Sequence, residues 1–401
     1  MRLLYYADAR SPIARSWIEH FIESRHEVHW ASSFPAAAPP GVASFAVVPV
    51  AFSGSAAAGV SGRRHAAGVQ LRTALRQWLG PLTLPAATRD LRTLIASVRP
   101  DLVHALRIPF EGLVAARAAA GVPLVVSVWG NDFTLHAGSA PLLGGLTRRA
   151  LRRTAGLHTD CRRDLGLASR FGFPGDRPSI VLPGNGGVRP SVFFPAGDQP
   201  EVLSDRVRAV LESLPPGARL ILNPRGIRAY VRNDTFFRAV PRVLQRVPQA
   251  VFLCPAMAGE PQAEGWRREL ETASAVRLLP PLEPGEMAAL FRRAEISVSP
   301  STHDGTPNTL LEAMACGCFP IAGDLESVRE WLVRGETGLI IDPADDEGLA
   351  WAMLRALEDE GMRTTAARRN REVIRQRADY AVCMRQAEAF YQSVVAGGPM
   401  L

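Results

Sequence analysis

Lysine is absent from this chain: all 46 basic positions among its 401 residues are arginine. This absence excludes chemistry that needs an amine, such as a Schiff base, a lysine nucleophile or the lysine of a phosphate-binding P-loop. Cysteine is also sparse, and the five cysteines are scattered without a Cys-x-x-Cys pair. This pattern favours reduced, unbridged thiols and predicts no metal site.

Long apolar runs and a leader segment are missing as well. The longest uncharged stretch, residues 41–62, consists mainly of Ala, Ser, Gly and Val, and it is too weak to span a bilayer. The first residues, MRLLYYADARS, enter a strand and then polar positions, which is not the pattern of a signal peptide. We therefore expect a cytoplasmic protein, attached at most peripherally to the inner face of the membrane.

Acidic residues are scarce in the first half of the chain. Residues 1–190 carry 22 arginines and 11 acidic residues, whereas residues 191–401 have a small acidic excess. A basic half predicts an anionic partner, such as a phospholipid surface, a lipid diphosphate or an acidic glycan. Aromatic residues make up only 7%, and no helix-turn-helix pattern is present, so we expect no nucleic-acid partner. Contact with a membrane surface is predicted through the arginines at positions 63, 64, 148, 149, 152 and 153.

Short apolar runs alternate with longer helical patterns, which is typical of α/β proteins built from parallel βα units. The predicted strands of the first half are Arg2–Tyr6, Glu27–Trp30, Ala43–Pro49, Leu102–Ala105 and Leu124–Val128. Those of the second half are Leu220–Asn223, Ala250–Cys254, Val276–Leu278, Ile296–Pro300, Phe319–Ile321 and Gly338–Ile341. The predicted helices are Ile13–Ser24, Leu71–Leu79, Leu91–Val98, Gly112–Ala119, Thr235–Arg246, Pro284–Arg293, Thr309–Ala315 and Glu326–Val333.

The Gly- and Pro-rich segment Pro183–Pro195 marks a boundary between two domains. We predict a Rossmann-like domain at residues 1–190 and a second one at 191–375. A C-terminal helix at 376–401 is expected to pack back toward the first domain. Ligands of such sheets bind at the carboxyl ends of the strands, so we expect one in the cleft between the domains. Residues 50–66 are predicted to form a mobile loop.

The most informative segment is Ile296–Pro343. A buried strand ends there at Pro300, a polar turn follows, and a helix is predicted to begin near Thr309. The unpaired N–H groups of a first helical turn favour phosphate oxygens. Glu312 lies about one turn inside this helix, where a carboxylate can accept hydrogen bonds from the two vicinal hydroxyls of a ribose. The alternative is structural: Asp304 and Thr309 cap the helix, and Glu312 lies on a solvated face.

This segment resembles the donor site of the family 4 retaining glycosyltransferases, which have the GT-B architecture of two Rossmann-like domains facing across a cleft. Asp304 occupies the position of the family's first glutamate, and Glu312, after seven intervening residues, matches the second. Residues 313–322, AMACGCFPIA, match the motif that follows, and Glu330 with Gly335–Gly338 matches its end. The linker resembles the family's crossover motif at Pro183, Asn185, Gly186, Val188, Phe194 and Pro195.

The resemblance implies a nucleotide-diphosphate sugar as the donor substrate and no cofactor. It implies that Asp304 holds the transferred sugar, that Glu312 binds the ribose, and that Arg225 grips the diphosphate. The backbone near Leu279 is expected to read the base. The donor-binding turn comprises Gly305, Thr306, Pro307, Asn308 and Thr309.

The family's second cation is a lysine, which this chain lacks. Arg228 or Arg232 must replace it, and we prefer Arg232 because it directly precedes a predicted helix start. Two guanidiniums suit a diphosphate because each can bind two oxygens. The alternative is that these arginines pair with local acids such as Asp234.

The first domain resembles the family in residues 100–105 and 123–132, although Trp129 stands where many members carry a histidine beside the reacting centre. The acceptor is expected to be a glycan, a lipid-linked molecule or a small molecule. The candidate residues on the acceptor side are Asp8, Arg10, His104, Asn131, Asp132 and His136.

The reaction that the resemblance implies is sugar transfer with retention, in which the acceptor hydroxyl attacks the face that the nucleotide leaves. The departing phosphate takes the proton, so the protein supplies positioning and charge stabilisation rather than a nucleophile. We predict metal-independent transfer that builds a bacterial surface or secondary glycan. The first alternative is a degenerate protein of the same fold that binds a nucleotide sugar or a partner without turnover. The second is a two-lobed sugar-binding protein, which would need a secretion signal.

Overall fold

The computed structural model of the protein describes residues 1–54, 76 and 78–397. The chain forms two compact units, the first being Met1–Gly186 with the segment from Cys383 onward and the second Gly187–Val382. The boundaries therefore lie after Gly186 and Val382, whereas the sequence prediction has them after residues 190 and 375. Most of the predicted helix Leu71–Leu79 and of the predicted loop 50–66, including Arg63 and Arg64, lies outside the described residues.

In the described part of the first unit, seven parallel strands form one sheet in the order β3-β2-β1-β4-β5-β6-β7. The strands are β1 (Arg2–Ala7), β2 (Glu27–Ser32), β3 (Ser44–Val47), β4 (Leu102–Leu106), β5 (Leu124–Val128), β6 (Gly156–Thr159) and β7 (Ser179–Val181). The helices are α1 (Pro12–Glu23), α2 (Leu84–Val98), α3 (Leu113–Ala118), α4 (Pro141–Leu151) and α5 (Arg162–Arg170). The strand order reverses between β1 and β4, the point at which doubly wound sheets bind ligands.

Two strands of this sheet, β6 and β7, are missing from the sequence prediction. Both are short, and β6 reads Gly-Leu-His-Thr, so neither provides the apolar run that marks a buried strand. The sheet nevertheless buries all four residues of β6, including His158 and Thr159. His158 Nε2 lies 3.0 Å from the carbonyl oxygen of Leu182, 24 residues away, and the Thr159 hydroxyl donates to the carbonyl of Cys161 at 3.0 Å. The partner of His158 cannot be read from local sequence.

The second unit contains a six-stranded parallel sheet in the order β10-β9-β8-β11-β12-β13. The strands are β8 (Arg219–Leu222), β9 (Ala250–Cys254), β10 (Val276–Leu278), β11 (Ile296–Ser299), β12 (Phe319–Gly323) and β13 (Leu339–Ile341). The helices are α6 (Asp205–Glu212), α7 (Asn233–Arg246), α8 (Pro261–Glu269), α9 (Pro284–Arg293), α10 (Asn308–Cys316), α11 (Glu326–Arg329), α12 (Asp346–Glu358) and α13 (Glu360–Arg377). Apolar clusters cover the sheet, which explains why its strands read as nearly continuous hydrophobic runs.

All six strands predicted for the second unit are present within a residue or two, but one predicted helix is too long. Helix α11 ends at Arg329 instead of Val333. The chain turns after it, and Trp331 and Leu332 are buried in the apolar core. Burial of these two side chains decides the end of the helix, and helical periodicity does not reveal it.

The last helix, α14 (Tyr380–Ala396), contributes Tyr391 to the core of the first unit. The Tyr391 hydroxyl lies 2.5 Å from Nδ1 of His104 and accepts a hydrogen bond from the Trp17 indole at 2.9 Å. The Ser127 hydroxyl lies 2.8 Å from both His104 Nε2 and His158 Nδ1. The two histidines are fully buried, so this chain of polar groups is internal.

The buried histidines predict that the protein loses stability in mild acid. Desolvation lowers the pKa of His158 to about 4 and that of His104 well below its usual value. An unfolded chain binds a proton at His158 as the pH falls below about 6.5, but the folded chain does not until about 4. The free energy of unfolding should therefore fall by about 3 kcal/mol over this window from His158 alone.

Urea unfolding between these two pH values measures the effect, with His158→Gln as the control. The variant should show a flatter pH profile, because glutamine keeps a polar side chain and does not titrate. An identical slope in both proteins would contradict this assignment.

Candidate functional site

The polar turn between β11 and α10 is the centre of the candidate site in the second unit. Helix α10 begins at Asn308, directly after Pro307, and in the described structure no side chain caps its first turn. The predicted alternative, in which Asp304 and Thr309 cap the helix, is therefore wrong. The N–H groups of the first turn remain without helical partners, which favours a bound anion. Gly317, with φ +82°, ends the helix.

The structure brings together three of the predicted residues at the start of α10. Arg225 Nη2 donates to Asp304 Oδ2 at 2.5 Å, and Arg225 Nη1 lies 3.4 Å from Thr309 Oγ1. The side chains of Arg225 and Asp304 are only 12% and 14% exposed. Asp304 Oδ1 accepts a hydrogen bond from the N–H of Gly305 at 3.1 Å. A guanidinium is thus held at the mouth of the helix, next to its unpaired N–H groups.

Two asparagines position Arg225, and the sequence analysis did not assign them this role. Asn223 Oδ1 accepts a hydrogen bond from the backbone N–H of Arg225 at 3.3 Å, and Asn223 Nδ2 donates to Asn233 Oδ1 at 2.9 Å. Asn233 Nδ2 in turn donates to the carbonyl of Gly226 at 2.8 Å. Both asparagines are buried. A polar residue directly after an apolar strand was the available signal, since buried amides need partners.

Two hydrogen bonds from the segment around α11 fix the turn. The Ser327 hydroxyl donates to the carbonyl of Asp304 at 3.0 Å, and the Trp331 indole donates to Thr306 Oγ1 at 3.0 Å. The Oδ1 atom of Asn308 is buried and accepts no hydrogen bond from the described residues. The turn therefore has a fixed backbone and one polar atom whose hydrogen-bonding capacity is unused.

Glu312 lies one turn inside α10 and is half-buried. Desolvation raises the pKa of its carboxyl to about 7, and the nearby Arg225 opposes this shift. The alternative of a solvated helix face is inconsistent with this environment. A carboxyl group whose ionised form is destabilised by burial is typical of a site that binds a ligand.

Arg232, the predicted second cation, lies beside the turn but is paired. Its Nε and Nη2 atoms donate to the two carboxylate oxygens of Asp234, at 2.8 Å each. This is the local pairing that the sequence analysis left open. The N–H of Arg232 donates to the carbonyl of Pro300 at 3.0 Å, and that of Thr302 to Tyr230, so this loop lies against the turn. Arg228, on the same loop, is exposed.

Leu279 does not offer the backbone groups that were predicted to read a base. Its N–H donates to the carbonyl of Cys254 at 3.0 Å, and its carbonyl accepts from the N–H groups of Met257 and Ala258. The side chain is buried. Because the fold already uses both backbone groups, we remove Leu279 from the donor-binding set.

His104 is the clearest error among the residues assigned to the acceptor side. Its side chain has no exposed surface and bonds to Tyr391 and Ser127 inside the first unit. A ring enclosed in this way cannot contact an acceptor. The strand predicted at Leu102–Ala105 already included His104, and β4, which runs from Leu102 to Leu106, is buried along its whole length.

Asp132 is buried too, and it acts on an arginine that the sequence analysis missed. Its Oδ1 atom accepts hydrogen bonds from Arg107 Nε and Nη2 at 3.1 and 2.6 Å, and its Oδ2 atom from the N–H of Trp129 at 3.2 Å. The Asp132 side chain has no exposed surface, whereas that of Arg107 is 41% exposed. Arg107 follows β4 directly, which was the available signal. Asp132 therefore positions a guanidinium instead of facing solvent.

The other predicted acceptor-side residues also lie after strands of the first unit. Asp8 and Arg10 follow β1 and form a two-bond ion pair, and the Arg10 guanidinium lies 3.8 Å from the centre of the Phe34 ring. Asn131 and His136 follow β5 and are half-buried. Desolvation lowers the pKa of His136, so this imidazole is neutral near neutral pH. The Trp129 indole, where the family often has histidine, packs against Gly184.

One group of potential metal ligands occurs among the described residues: Asp160, Cys161 and Asp164, with ligand atoms within 4.8 Å of one another. It belongs to the first unit, whereas the turn before α10 belongs to the second. Burial raises the pKa of the Cys161 thiol far above its usual value, so the thiol stays protonated. Arg163 already donates to Asp164 at 2.8 Å. These features do not favour a metal ion, which requires deprotonated ligands.

None of the helices in the described part of the chain has the length and apolar content needed to cross a bilayer.

The two units together have the GT-B architecture. Over 99% of the chain, the structure is similar to a sucrose-phosphate synthase from Thermosynechococcus elongatus, with a TM-score of 0.76 at 16% identity and with 100% of that chain covered. It is also similar to the UDP-glucose complex of HepE from Anabaena, with a TM-score of 0.72 at 15% identity over 98% of this chain and 100% of that one. The predicted fold class is confirmed.

Family comparisons agree with the fold. The model described as a glycosyl transferase 4-like domain matches residues 11–184, and the one described as glycosyl transferases group 1 matches residues 226–359. The two matches cover most of the chain, and the chain belongs to the group 1 glycosyltransferase family.

Curated relatives match over shorter segments. A D-inositol 3-phosphate glycosyltransferase of Thermomonospora curvata is 30% identical over 207 residues, 49% of this chain and 47% of that protein. A phosphatidyl-myo-inositol mannosyltransferase of Mycolicibacterium smegmatis is 28% identical over 163 residues, 40% of this chain and 41% of that protein. The matches therefore span less than half the length of these relatives.

Proposed function

We propose that this protein is a glycosyltransferase that moves a sugar, with retention, from a nucleotide-diphosphate sugar to an acceptor hydroxyl. The observation that carries the proposal is the juxtaposition of Arg225, Asp304 and Thr309 at the unpaired start of α10, with Glu312 one turn inside. Together these groups offer a cation and N–H donors to a diphosphate and a carboxylate to the hydroxyls of a sugar or ribose.

In the proposed reaction, the diphosphate of the donor lies against the first turn of α10. The Arg225 guanidinium stabilises the negative charge that grows on the diphosphate as the sugar bond breaks. Arg232 supplies the second cation when the ligand displaces part of its pairing with Asp234. Because guanidiniums and N–H dipoles carry this charge, transfer needs no divalent cation, and turnover should persist in excess EDTA.

The acceptor is proposed to bind the first unit at the carboxyl ends of its strands. Arg107 and Arg10 follow β4 and β1, their side chains are 41% and 49% exposed, and Asp132 and Asp8 hold them in place. The relatives in the comparison are named for phosphorylated inositol acceptors, D-inositol 3-phosphate and phosphatidyl-myo-inositol. We therefore propose an acceptor hydroxyl on a small polyol, a glycan or a lipid-linked molecule, in the cytoplasm or at the inner membrane surface.

The direct test has two stages. A thermal-shift screen with nucleoside diphosphates and their sugars identifies the donor, because a ligand that binds only the folded state raises the melting temperature. Release of the nucleotide is then measured with and without inositol phosphates, phosphatidylinositol and oligosaccharides, and NMR reads the anomeric configuration of the product. Release that depends on an acceptor, with retained configuration, is the expected result.

A second candidate function is binding of a nucleotide sugar without turnover. Two observations favour it: Asp304 replaces the longer glutamate and is engaged by Arg225, and the buried indole of Trp129 replaces the family's histidine. Tight donor binding with no release of nucleotide across the acceptor panel would support this function and contradict catalysis.

The environment of Glu312 predicts a pH-dependent donor affinity. Its carboxyl has a pKa of about 7 in the free protein, whereas hydroxyl donors of the ligand favour the ionised form. Binding should therefore release a proton, and affinity should rise roughly tenfold between about pH 6 and pH 8. Calorimetry with the intact nucleotide sugar measures this, since a diphosphate diester does not titrate in that range. In the Glu312→Gln variant, affinity should be weaker and independent of pH; a matching pH profile in both proteins would contradict the assignment.

A further inference from the structure

A cavity of about 420 Å³ lies between α3 and α4 of the first unit, and its lining includes none of the residues assigned above to the donor or the acceptor. Its floor is apolar, formed by Leu113, Ala116, Leu146 and Ala150. Arg117, Arg149 and Arg153 complete its lining, and we call this set the arginine pocket. Its volume is in the range of small-ligand sites.

The three guanidiniums of the arginine pocket have no acidic counterparts. Across the residues that the structure describes, none of the three forms an ion pair, and Arg153 Nη1 donates to the carbonyl of Ala116 at 3.4 Å. Desolvation, and then the positive charges of Arg149 and Arg153, lower the pKa of Arg117. By contrast, the half-buried arginines Arg225, Arg219 and Arg292 pair with carboxylates.

Neutralisation of helix ends explains only part of this arrangement. Arg117 and Arg149 lie in the last turns of α3 and α4, where a cation interacts favourably with the helix dipole. That interaction needs no convergence of the side chains, because each helix end could keep its arginine directed into water. Instead, the three like charges line one cavity, in which Arg117 is half-buried and Arg149 and Arg153 are exposed. The repulsion that Arg149 and Arg153 exert on Arg117 costs free energy that a bound anion would recover.

The location separates the arginine pocket from the proposed reaction. Helices that follow parallel strands run back antiparallel to them, so the ends of α3 and α4 lie toward the amino edge of the sheet. Arg107 and Asp132 follow the carboxyl ends of β4 and β5, at the opposite edge. The pocket thus presents three cations and an apolar floor to a ligand other than the proposed acceptor.

We propose that the arginine pocket binds a phosphate group attached to an apolar or small organic body. Guanidiniums bind phosphate oxygens in pairs, and the alanine and leucine floor accommodates the attached carbon skeleton. The same chemistry occurs in a soluble phosphate compound and in the headgroup of an anionic phospholipid. This site does not depend on the proposed transferase function.

The full-length protein is titrated with inorganic pyrophosphate by calorimetry, and its flotation is measured with vesicles of phosphatidylcholine alone or mixed with phosphatidylglycerol. The test variant is Arg117→Gln/Arg149→Gln/Arg153→Gln. The matched control is Arg89→Gln/Arg170→Gln, which removes two exposed arginines of the first unit that lie outside the pocket lining and outside the predicted membrane contact. The site at α10 is intact in both variants, so its own binding of pyrophosphate is a constant background. Circular dichroism and melting temperature confirm the fold, and the single variant Arg149→Gln replaces the triple variant if the latter unfolds.

We expect the test variant to lose a pyrophosphate site that the wild type and the control retain, with affinity at that site reduced at least tenfold. Loss of pyrophosphate binding alone identifies a soluble phosphate ligand. Loss of flotation with phosphatidylglycerol, in the test variant only, identifies a lipid headgroup. Equal pyrophosphate binding and equal flotation in all three proteins would overturn the proposal and leave the arginines as helix-end cations only.

Discussion

Replacement of Glu312 by alanine is expected to abolish sugar transfer and to leave the fold intact. In the proposed complex, the carboxylate accepts two hydrogen bonds from vicinal hydroxyls of the donor, and charged hydrogen bonds of this kind contribute about 1.5–3 kcal/mol each. Loss of both should weaken donor binding by at least roughly a hundredfold. The fold should tolerate the change because the carboxyl of the free protein is half-buried at an electrostatic cost, as its pKa of about 7 indicates.

The measurements are donor affinity by calorimetry, turnover, and the melting temperature. Glu326→Ala is the matched control, because this residue is an exposed glutamate in the first turn of the neighbouring helix α11. The control should behave as the wild type in all three measurements. Wild-type turnover in Glu312→Ala would show that the ribose is bound elsewhere, whereas a collapse of the melting temperature would assign Glu312 to the fold.

Replacement of Arg225 by alanine should lower the rate of transfer by about 10²–10³, the usual effect of removing one charge-stabilising group. The change removes the guanidinium that bonds to Asp304 at the start of α10. It also leaves the Asp304 carboxylate, only 14% exposed, without this partner, so a loss of stability of about 1–3 kcal/mol should accompany it. Turnover at saturating donor measures the loss of rate, and urea unfolding measures the loss of stability.

Arg225→Lys separates charge from geometry. A lysine restores the positive charge but not the paired donors of a guanidinium, so we expect partial recovery of the rate. Arg246→Ala, an exposed arginine at the end of α7, is the control for a general charge effect. Arg232→Ala should also reduce the rate, by less than Arg225→Ala, since Asp234 already holds its guanidinium in the free protein. If Arg225→Ala and Arg246→Ala lost equal activity, the role of Arg225 at the diphosphate would be refuted.

The candidate site shows where sequence reasoning succeeds. Asp304, Thr309 and Glu312 lie within nine residues of one another, and a strand, a turn and a helix start can be read from local pattern. The contact of Arg225 with this turn could be expected only from the resemblance, because 79 residues separate Arg225 from Asp304. Parallel strands β8 and β11 are neighbours in the sheet, so the residues after them meet at one edge.

Errors arose where the surroundings of a side chain decide its role. His104 and Leu279 both follow apolar residues near strand ends, and both are enclosed by elements distant in sequence, His104 by α14 and Leu279 by the loop after β9. For Arg232 the sequence left two possibilities open, and in the structure its Nε and Nη2 atoms donate to Asp234, two residues along. Arg107 was missed because Asp132, a buried residue 25 positions further along the chain, fixes the position of its guanidinium.

By itself, the sequence determined the two-unit parallel α/β organisation, the linker and the turn before α10, because apolar periodicity and Gly and Pro positions act over a few residues. Only the tertiary structure decided which polar side chains are able to contact a ligand. Whether a guanidinium or imidazole can meet a ligand depends on the desolvation and hydrogen bonds imposed by distant segments. The same is true of the arginine pocket, where the fold places Arg117 beside Arg149 and Arg153, which lie more than 30 residues further along the chain.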